Sequence, residues 1–342
     1  MVDRAAVIGT GQPGLFQMQS YALSQRAELV AIWGRNENQL ARLRQHYGLA
    51  LATTDLDAIL AHEDIDCVSL CVPNQFHAEW SERALRAGKH VFCEVPMVPQ
   101  RAEGERMVRA VEETGRILMV GQIDRFEPAF IHIRRMTDSG ELGRPFLAES
   151  RFLGRGWTRS KPLDWWGRDA ANPQIALVSL GCFPISLLRW VMGPIVEVSA
   201  YATRQGWPNQ AHDDTVTINL RFKSGALGRA LVSEAAQHPY ALDLAVYGEE
   251  GTIINNQLAS NRWLDVGRDE FVELPIPLIA WEEYPDPAIQ SLFDAEIEAF
   301  LESIDAGTPP PVDVHEGTAI AVVLDAVAES VTTGMPVRLA NP

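Results

Sequence analysis

The sequence predicts an α/β chain in two parts: a doubly wound parallel sheet, followed by an α+β domain with a large, mainly antiparallel sheet. Three observations predict it. Residues 1–122 alternate short apolar strands with amphipathic helices, a glycine-rich turn follows the first strand, and the rhythm changes from about 144 onward. At 342 residues the chain exceeds what one hydrophobic core usually spans, so two domains are expected, 1–122 and 123–342.

In the first part, strands are expected at 5–9, 27–33, 50–53, 67–71, 90–93 and 117–121. Helices are expected between them at about 13–24, 36–47, 55–61, 74–87 and 100–114. Apolar strands interleaved with helices imply a parallel sheet covered on both faces, wound by right-handed crossovers. In the second part, "RPFLAESRF", "VEVSAYATR", "DTVTINLRF", "ALGRALVSEA", "LDLAVYG" and "GTIINN" read as strands, and the Ser-Gly of "FKSGAL" as a hairpin turn. Helices are expected near 125–139, 174–192, 289–306 and 316–333, with a Trp/Pro-rich loop over 154–173 between the domains.

Composition narrows the function. A net charge of −16 argues against nucleic acid and anionic membranes, which need clustered Lys and Arg. No apolar run approaches a membrane span, and residues 1–10 read as a strand and not as a secretory leader, so a cytoplasmic protein is expected. Cys67, Cys71, Cys93 and Cys182 match no zinc pattern and read as small buried thiols; no metal is expected.

The turn "VIGTGQPG" places Gly9, Gly11 and Gly14 between the first strand and the first helix, with Gln12 and Pro13 at its entry. Gly9 permits the tight turn, Gly11 lets a pyrophosphate approach the backbone, and Gly14 allows close helix packing. The helix N-terminus then faces the phosphates with free N–H groups. This is a dinucleotide-binding, Rossmann-type signature. After the second strand, "WGRN" offers Gly34, Arg35 and Asn36 where an NAD-preferring chain carries an acidic residue for the ribose. A guanidinium without a carboxylate suits a 2′-phosphate, so NADP is favoured over NAD.

Further segments follow in order: "VSLCVPNQFH" (68–77), "ALRAGKHVFCEVP" (84–96), "RFEP" (125–128), "LGCFPISLLRW" (180–190), "DDTVTINLRFKSGAL" (213–227), "YGEEGTI" (247–253) and "AVAESVTTGMPVRL" (326–339). Together they resemble the glucose–fructose oxidoreductase, inositol dehydrogenase and rhizopine-catabolism (Gfo/Idh/MocA) family along nearly the whole chain. The resemblance implies a Rossmann domain and a sheet domain whose open face covers the nicotinamide. It also implies homodimer or homotetramer contacts through that sheet. Pro73, Asn74 and His77 are implied near the cofactor, with Glu94, Val95 and Gln122 toward the nicotinamide end.

The same resemblance exposes a departure. Family members that oxidise sugars or inositols generally use the Lys of Glu-Lys-Pro with an Asp and a His in a pattern like Asp-x-Gly-x-His-x-x-Asp. Here Val95 replaces the Lys, while Ser179, Phe183 and Ser186 stand for the Asp, the His and the later Asp. A positioned base contributes about 10²–10⁴-fold to such a reaction. Ordinary polyol oxidation is therefore not the leading expectation. Hydride transfer between NADPH and a small, relatively apolar or imine/carbonyl substrate is, with non-redox catalysis or a non-catalytic cofactor-sensing role as the alternatives. Trp157, Trp165 and Trp166 either line the pocket or pack at the domain seam. Substitute proton donors are sought among His238, Tyr240, Lys161 and Asp164, with His238 and Tyr240 preferred, though each alone reads first as an ordinary surface or turn residue.

Overall fold

The structure, a computed structural model, describes residues 3–154, 175–207, 212–262, 270–279 and 285–339. Its first part runs β1 (Asp3–Ile8), α1 (Gln12–Leu23), β2 (Ala27–Trp33), α2 (Glu37–Tyr47), β3 (Leu51–Thr53) and α3 (Leu56–Leu60). It continues through β4 (Cys67–Leu70), α4 (His77–Arg86), β5 (His90–Glu94), α5 (Arg101–Thr114) and β6 (Leu118–Gly121). All six strands are parallel, in the order β3-β2-β1-β4-β5-β6. The order reverses beside β1, which is where open α/β sheets bind ligands at their carboxyl edge. β1, β4 and β6 are buried throughout or nearly so, as a sheet covered on both faces requires.

The second part opens with α6 (Pro128–Asp138) and β7 (Pro145–Leu153). A wide π-type turn (Ile175–Leu180) then leads into α7 (Cys182–Met192). Gly181 allows that turn, because a Cβ there would lie 2.1 Å from the Leu177 carbonyl oxygen. Next come β8 (Ile195–Thr203), β9 (Thr215–Phe222), β10 (Leu227–Ser233), β11 (Ala241–Gly248), β12 (Gly251–Ile254), β13 (Gln257–Ser260) and β14 (Val272–Glu273). The chain closes with α8 (Pro287–Ala306), α9 (Val314–Thr333) and β15 (Val337–Arg338). The nine-stranded sheet has the order β14-β13-β12-β11-β7-β10-β9-β8-β15 and is antiparallel except for the β7–β10 pair. One face of β7 and β10 alternates buried against α7, that of β9 meets the Ile175–Leu180 turn, and the other face carries charged residues.

Two units are distinguished by how residues pack. Residues 281–321 group with residues 1–123, while 124–280 and 322–342 form the other unit. The reason lies in α8, whose apolar stripe covers α1: Phe293 stacks on Phe16 at 4.7 Å, and Gln290 donates to the Ser20 hydroxyl at 2.9 Å. Arg26 adds ion pairs to Glu298, Glu302 and Asp305 on the same helix. Among the described residues no helix is long and apolar enough to cross a membrane, and no group of His, Cys, Asp and Glu could hold a metal ion.

Candidate active site

Backbone geometry builds the nucleotide edge of the first unit. Gly9 has φ +125°, and a Cβ there would lie 2.1 Å from the Cys71 carbonyl oxygen. Gly14 is equally constrained, 2.2 Å from the Gly9 carbonyl oxygen. Gly11 differs: nothing lies within 4 Å of its would-be Cβ. Two glycines thus serve the fold, and the third borders open space at the start of α1. No side chain caps α1, which begins at Gln12 with Pro13 in its first turn, so an anion there meets the helix N-terminus directly.

Beside this turn, Gly34 packs on Thr10, whose hydroxyl donates to Gln39 Oε1 at 2.9 Å while the Gln39 amide donates back to the Thr10 carbonyl. Asn36 is occupied as the cap of α2, accepting from the Gln39 N–H at 3.1 Å. Arg35 is exposed and makes no ion pair among the described residues. Its guanidinium stands at the end of β2.

The ends of β4, β5 and β6 continue the edge. Pro73 precedes a 3₁₀ turn (Asn74–Phe76). His77 is buried with Nδ1 2.8 Å from the Pro96 carbonyl and Nε2 2.8 Å from that of Val72. Burial lowers its pKa, the two carbonyls opposing. The ring therefore braces the turns after β4 and β5 together. Glu94 ends β5, accepting from the Gln17 amide at 2.5 Å and from the Val95 N–H at 3.3 Å. Burial outweighs these donors and pushes its carboxyl up to about 7. Val95 follows, joined to Pro96 by a cis peptide, and packs on the apolar core of the unit.

Three buried amide oxygens here lack a donor among the described residues: Gln17 Oε1, Asn74 Oδ1 and Gln122 Oε1. Leaving a buried polar atom unpaired costs about 1–3 kcal/mol. Their carriers sit in α1 and just beyond β4 and β6, along the same sheet edge as the glycine turn. A dinucleotide, with its carboxamide and ribose hydroxyl donors, fits this set. Gln17 was not among the expected site residues; its place on the inner face of α1 was the available signal.

The second unit carries the substituted positions. Phe183 stacks on Phe152 at 5.6 Å, and Tyr240 meets Phe152 edge-on at 5.3 Å, in a cluster with Leu180, Val232 and Leu242. Burial pushes the Tyr240 hydroxyl well up, so it stays a neutral donor. Ser179 is buried, its carbonyl facing the Cys182 thiol at 3.3 Å. Ser186 is taken up by Arg125, which donates to its hydroxyl at 2.9 Å and to its carbonyl at 3.1 Å while lying over the Trp190 ring. Of the two proton-donor candidates on the "AAQHPY" turn, Tyr240 joins the cluster, whereas His238 is exposed with Nδ1 against the Pro239 carbonyl. Trp157, Lys161, Asp164, Trp165 and Trp166 lie outside the described residues.

Three carboxyls missed by sequence reading also belong to this unit. Burial pushes Asp124, Glu127 and Glu234 each up to about 7, against Arg125 for Asp124 and against the Ile279 N–H for Glu127. In Glu234 the neighbouring Asp214 adds to the effect.

Fold and site together define a nicotinamide-dinucleotide-binding oxidoreductase architecture. Residues 4–122 match the oxidoreductase family with an NAD-binding Rossmann fold (GFO_IDH_MocA), and residues 130–254 match the GFO/IDH/MocA C-terminal domain. The chain is 36% identical over 226 residues to a 4-carboxy-2-hydroxymuconate-6-semialdehyde dehydrogenase of Sphingobium sp., covering 66% of this chain and 70% of that one. It is 25% identical to a myo-inositol 2-dehydrogenase of Thermotoga maritima across 98% of both chains. A levoglucosan dehydrogenase solved with NADH and levoglucosan superposes with a TM-score of 0.88 at 22% identity, covering all of both chains. The chain belongs to the Gfo/Idh/MocA oxidoreductase family.

Proposed function

We propose that the protein transfers hydride between NADPH and a small, relatively apolar carbonyl or imine substrate, without the lysine–histidine pair of polyol-oxidising relatives. The observation that carries this reading is Val95: it follows Glu94 at the end of β5 and packs on apolar core, in the position where an ammonium would be expected. Phe183, in its aromatic cluster, makes the matching change in the second unit. A substrate rich in hydroxyls would leave them poorly paired against such walls. The relative at 36% identity is named for a semialdehyde, a carbonyl compound, which supports the same substrate class.

In this reading the N-terminus of α1 holds the pyrophosphate and Arg35 pairs the 2′-phosphate. Gln17, Asn74 and Gln122 accept from the donors of the nicotinamide riboside. The bound dinucleotide supplies the hydride. Val95 and Phe183 exclude water, and Tyr240 presents a neutral hydroxyl to the substrate.

The test is the loss of reduced-nicotinamide absorbance with panels of aldehydes, cyclic imines and polyols. Turnover of aldehydes or imines with NADPH, above any polyol oxidation, is expected. Product formed without any absorbance change would replace this reading with a non-redox one, and nucleotide binding without turnover would leave a sensor. We also propose that the protein assembles through the outer face of the nine-stranded sheet, where Tyr201 and Leu227 stand exposed among the ion pairs Arg221–Glu197 and Arg229–Glu149. Sedimentation should show a dimer or tetramer that Tyr201→Glu dissociates; a monomeric wild type would refute it.

A further inference from the structure

Just past the end of β10 stands a carboxyl group that the reading above does not use. Gly228, Ala230 and Val232 face inward on this strand, and Glu234 continues the same phase. Its N–H donates to the Asp214 carbonyl at 3.1 Å, extending the β9–β10 ladder one step beyond Ser233–Thr215. Asp214 and Glu234 therefore stand opposite each other on one face, 1% and 4% exposed. Their oxygens are treated differently. Asp214 Oδ2 accepts from the Trp207 N–H at 2.7 Å, and Oδ1 accepts from the Thr215 hydroxyl at 2.8 Å, itself 2.8 Å from Ser233 Oγ. Glu234 Oε1 has no partner among the described residues.

What surrounds Glu234 ties it to the substituted site. One step back along β10, Val232 packs with Phe152, Phe183 and Tyr240, and Phe183 occupies the position of the family's histidine. The turn carrying Ser179 packs over β9 and β10. On the β7 side, Gly154 donates its N–H to the Ser233 carbonyl at 3.2 Å and brings no side chain beside the carboxyl. A Cβ at Gly154 would come within 3.1 Å of Tyr240 Cα, so this end of the sheet is closely gathered.

We propose that Glu234 is the substrate-side acid–base of this protein, delivering its proton to the carbonyl oxygen of the substrate as hydride reaches the carbonyl carbon. The inference rests on the hydride-transfer reading and supplies the proton that reading lacks. In reduction, the C=O π pair takes the proton from the Glu234 carboxyl. A new C–H bond forms with the hydride, the nicotinamide is oxidised, and Glu234 is left as carboxylate until solvent reprotonates it. Oxidation runs the same steps backward. A protonated iminium already carries its proton and needs none from Glu234.

The surroundings suit that role. Burial and the Asp214 carboxylate hold the Glu234 carboxyl up at about 7, where a group can both give and take a proton near neutrality. Of the described elements around it, the residues leading into β9 bring Asp214 and, two residues earlier, the buried His212; the Ile175–Leu180 turn has no titratable side chain, β7 ends in Leu153 and Gly154, and the segment before β11 carries Tyr240 and the exposed His238. Asp214, pinned by its two donors, is positioned to keep the Glu234 proton in place until the substrate draws it.

The experiment compares wild type with Glu234→Gln and Glu234→Asp, on a carbonyl substrate the wild type reduces and on a preformed cyclic iminium. Glu234→Gln should lower kcat for the carbonyl by about 10²-fold and remove the fall in rate above neutral pH, while sparing the iminium. Glu234→Asp should recover part of the loss. Without any nucleotide, infrared difference spectra between acid and neutral pH should show a protonated-carboxyl band in wild type that is diminished in Glu234→Gln. Unchanged NADPH affinity verifies the fold of the variants. If Glu234→Gln keeps wild-type kcat and pH profile on the carbonyl, or slows both substrates equally, the proposal is overturned while hydride transfer stands. If the infrared band is the same in Glu234→Gln, the group is already ionised and the proposal is likewise overturned. Nucleotide binding with no hydride transfer by wild type to any substrate would sink both readings together.

Discussion

The carboxyl edge of the parallel sheet and the second unit differ in the buried polar atoms they leave without a partner; the Glu94 carboxyl at the first has donors in Gln17 and the Val95 N–H. On the first, most unsatisfied atoms are neutral amide oxygens, those of Gln17, Asn74 and Gln122. On the second, they include carboxyl oxygens of Asp124, on the turn before α6, and of Glu234, just past β10. An amide oxygen keeps its character at any pH, so it recognises a fixed donor on a ligand. A buried carboxyl changes charge near neutrality, so it can exchange a proton. On the proposed reading, the difference separates holding a nucleotide from acting on a substrate.

The strongest way to break this comparison is through the glycines. Gly9→Ala would combine φ +125° with a Cβ 2.1 Å from the Cys71 backbone oxygen. Backbone cannot yield as a side chain does, so stability should fall by about 3–5 kcal/mol in chemical denaturation. Gly11→Ala meets no protein atom within 4 Å. It should leave the denaturation midpoint nearly unchanged and weaken NADPH binding roughly 10–100-fold. Equal destabilisation by the two variants would mean that Gly11 serves the fold and not a ligand.

The carboxyl side is sharpened by pH. Glu234 is raised to about 7 in the folded protein, above its unfolded value. Between the unfolded value and about 7 the folded state holds a proton that the unfolded state has lost, so stability falls as pH rises through that window. Glu234→Gln cannot ionise. It should match wild type at and below the unfolded value, gain on it through that window, and be more stable by about 1–3 kcal/mol above pH 7. Denaturant titrations at several pH values measure the gap; one that narrowed with rising pH would show Glu234 to be paired and ionised.

How much of this was legible in the sequence follows from what each feature depends on. The glycine turn, the parallel strands and α1 to α5 depend on near neighbours, and their periodicity showed them within three residues. β14 and β15 have two residues each and carry no period at all. The parallel β7–β10 pair joins strands some eighty residues apart, and no local signal announces it. The return of α8 to α1 depends on Phe16 meeting Phe293, which only tertiary packing reveals. Glu234 falls between these cases. Its inward phase was readable from Gly228, Ala230 and Val232, but its pairing with Asp214 needed the β9–β10 register. His238 attracted notice as a titratable residue, yet exposure, which sequence does not give, sets it apart from Tyr240.

The smallest expected effect concerns which nucleotide the first unit prefers. Gly34 leaves no carboxylate at the end of β2, Asn36 is committed to capping α2, and Arg35 is exposed without a partner among the described residues. A 2′-phosphate would give that guanidinium a charge-assisted, bidentate contact, whereas a 2′-hydroxyl offers it little. Arg35→Ala should therefore weaken NADPH about 10-fold while leaving NADH within a factor of about two. Because Arg35 is exposed, the NADPH preference should also shrink as salt is raised through the range where the Debye length falls below about 10 Å. Fluorescence titration of both nucleotides at two ionic strengths separates the cases. Parallel weakening of NADPH and NADH would place Arg35 on the common part of the dinucleotide and remove the argument for a 2′-phosphate.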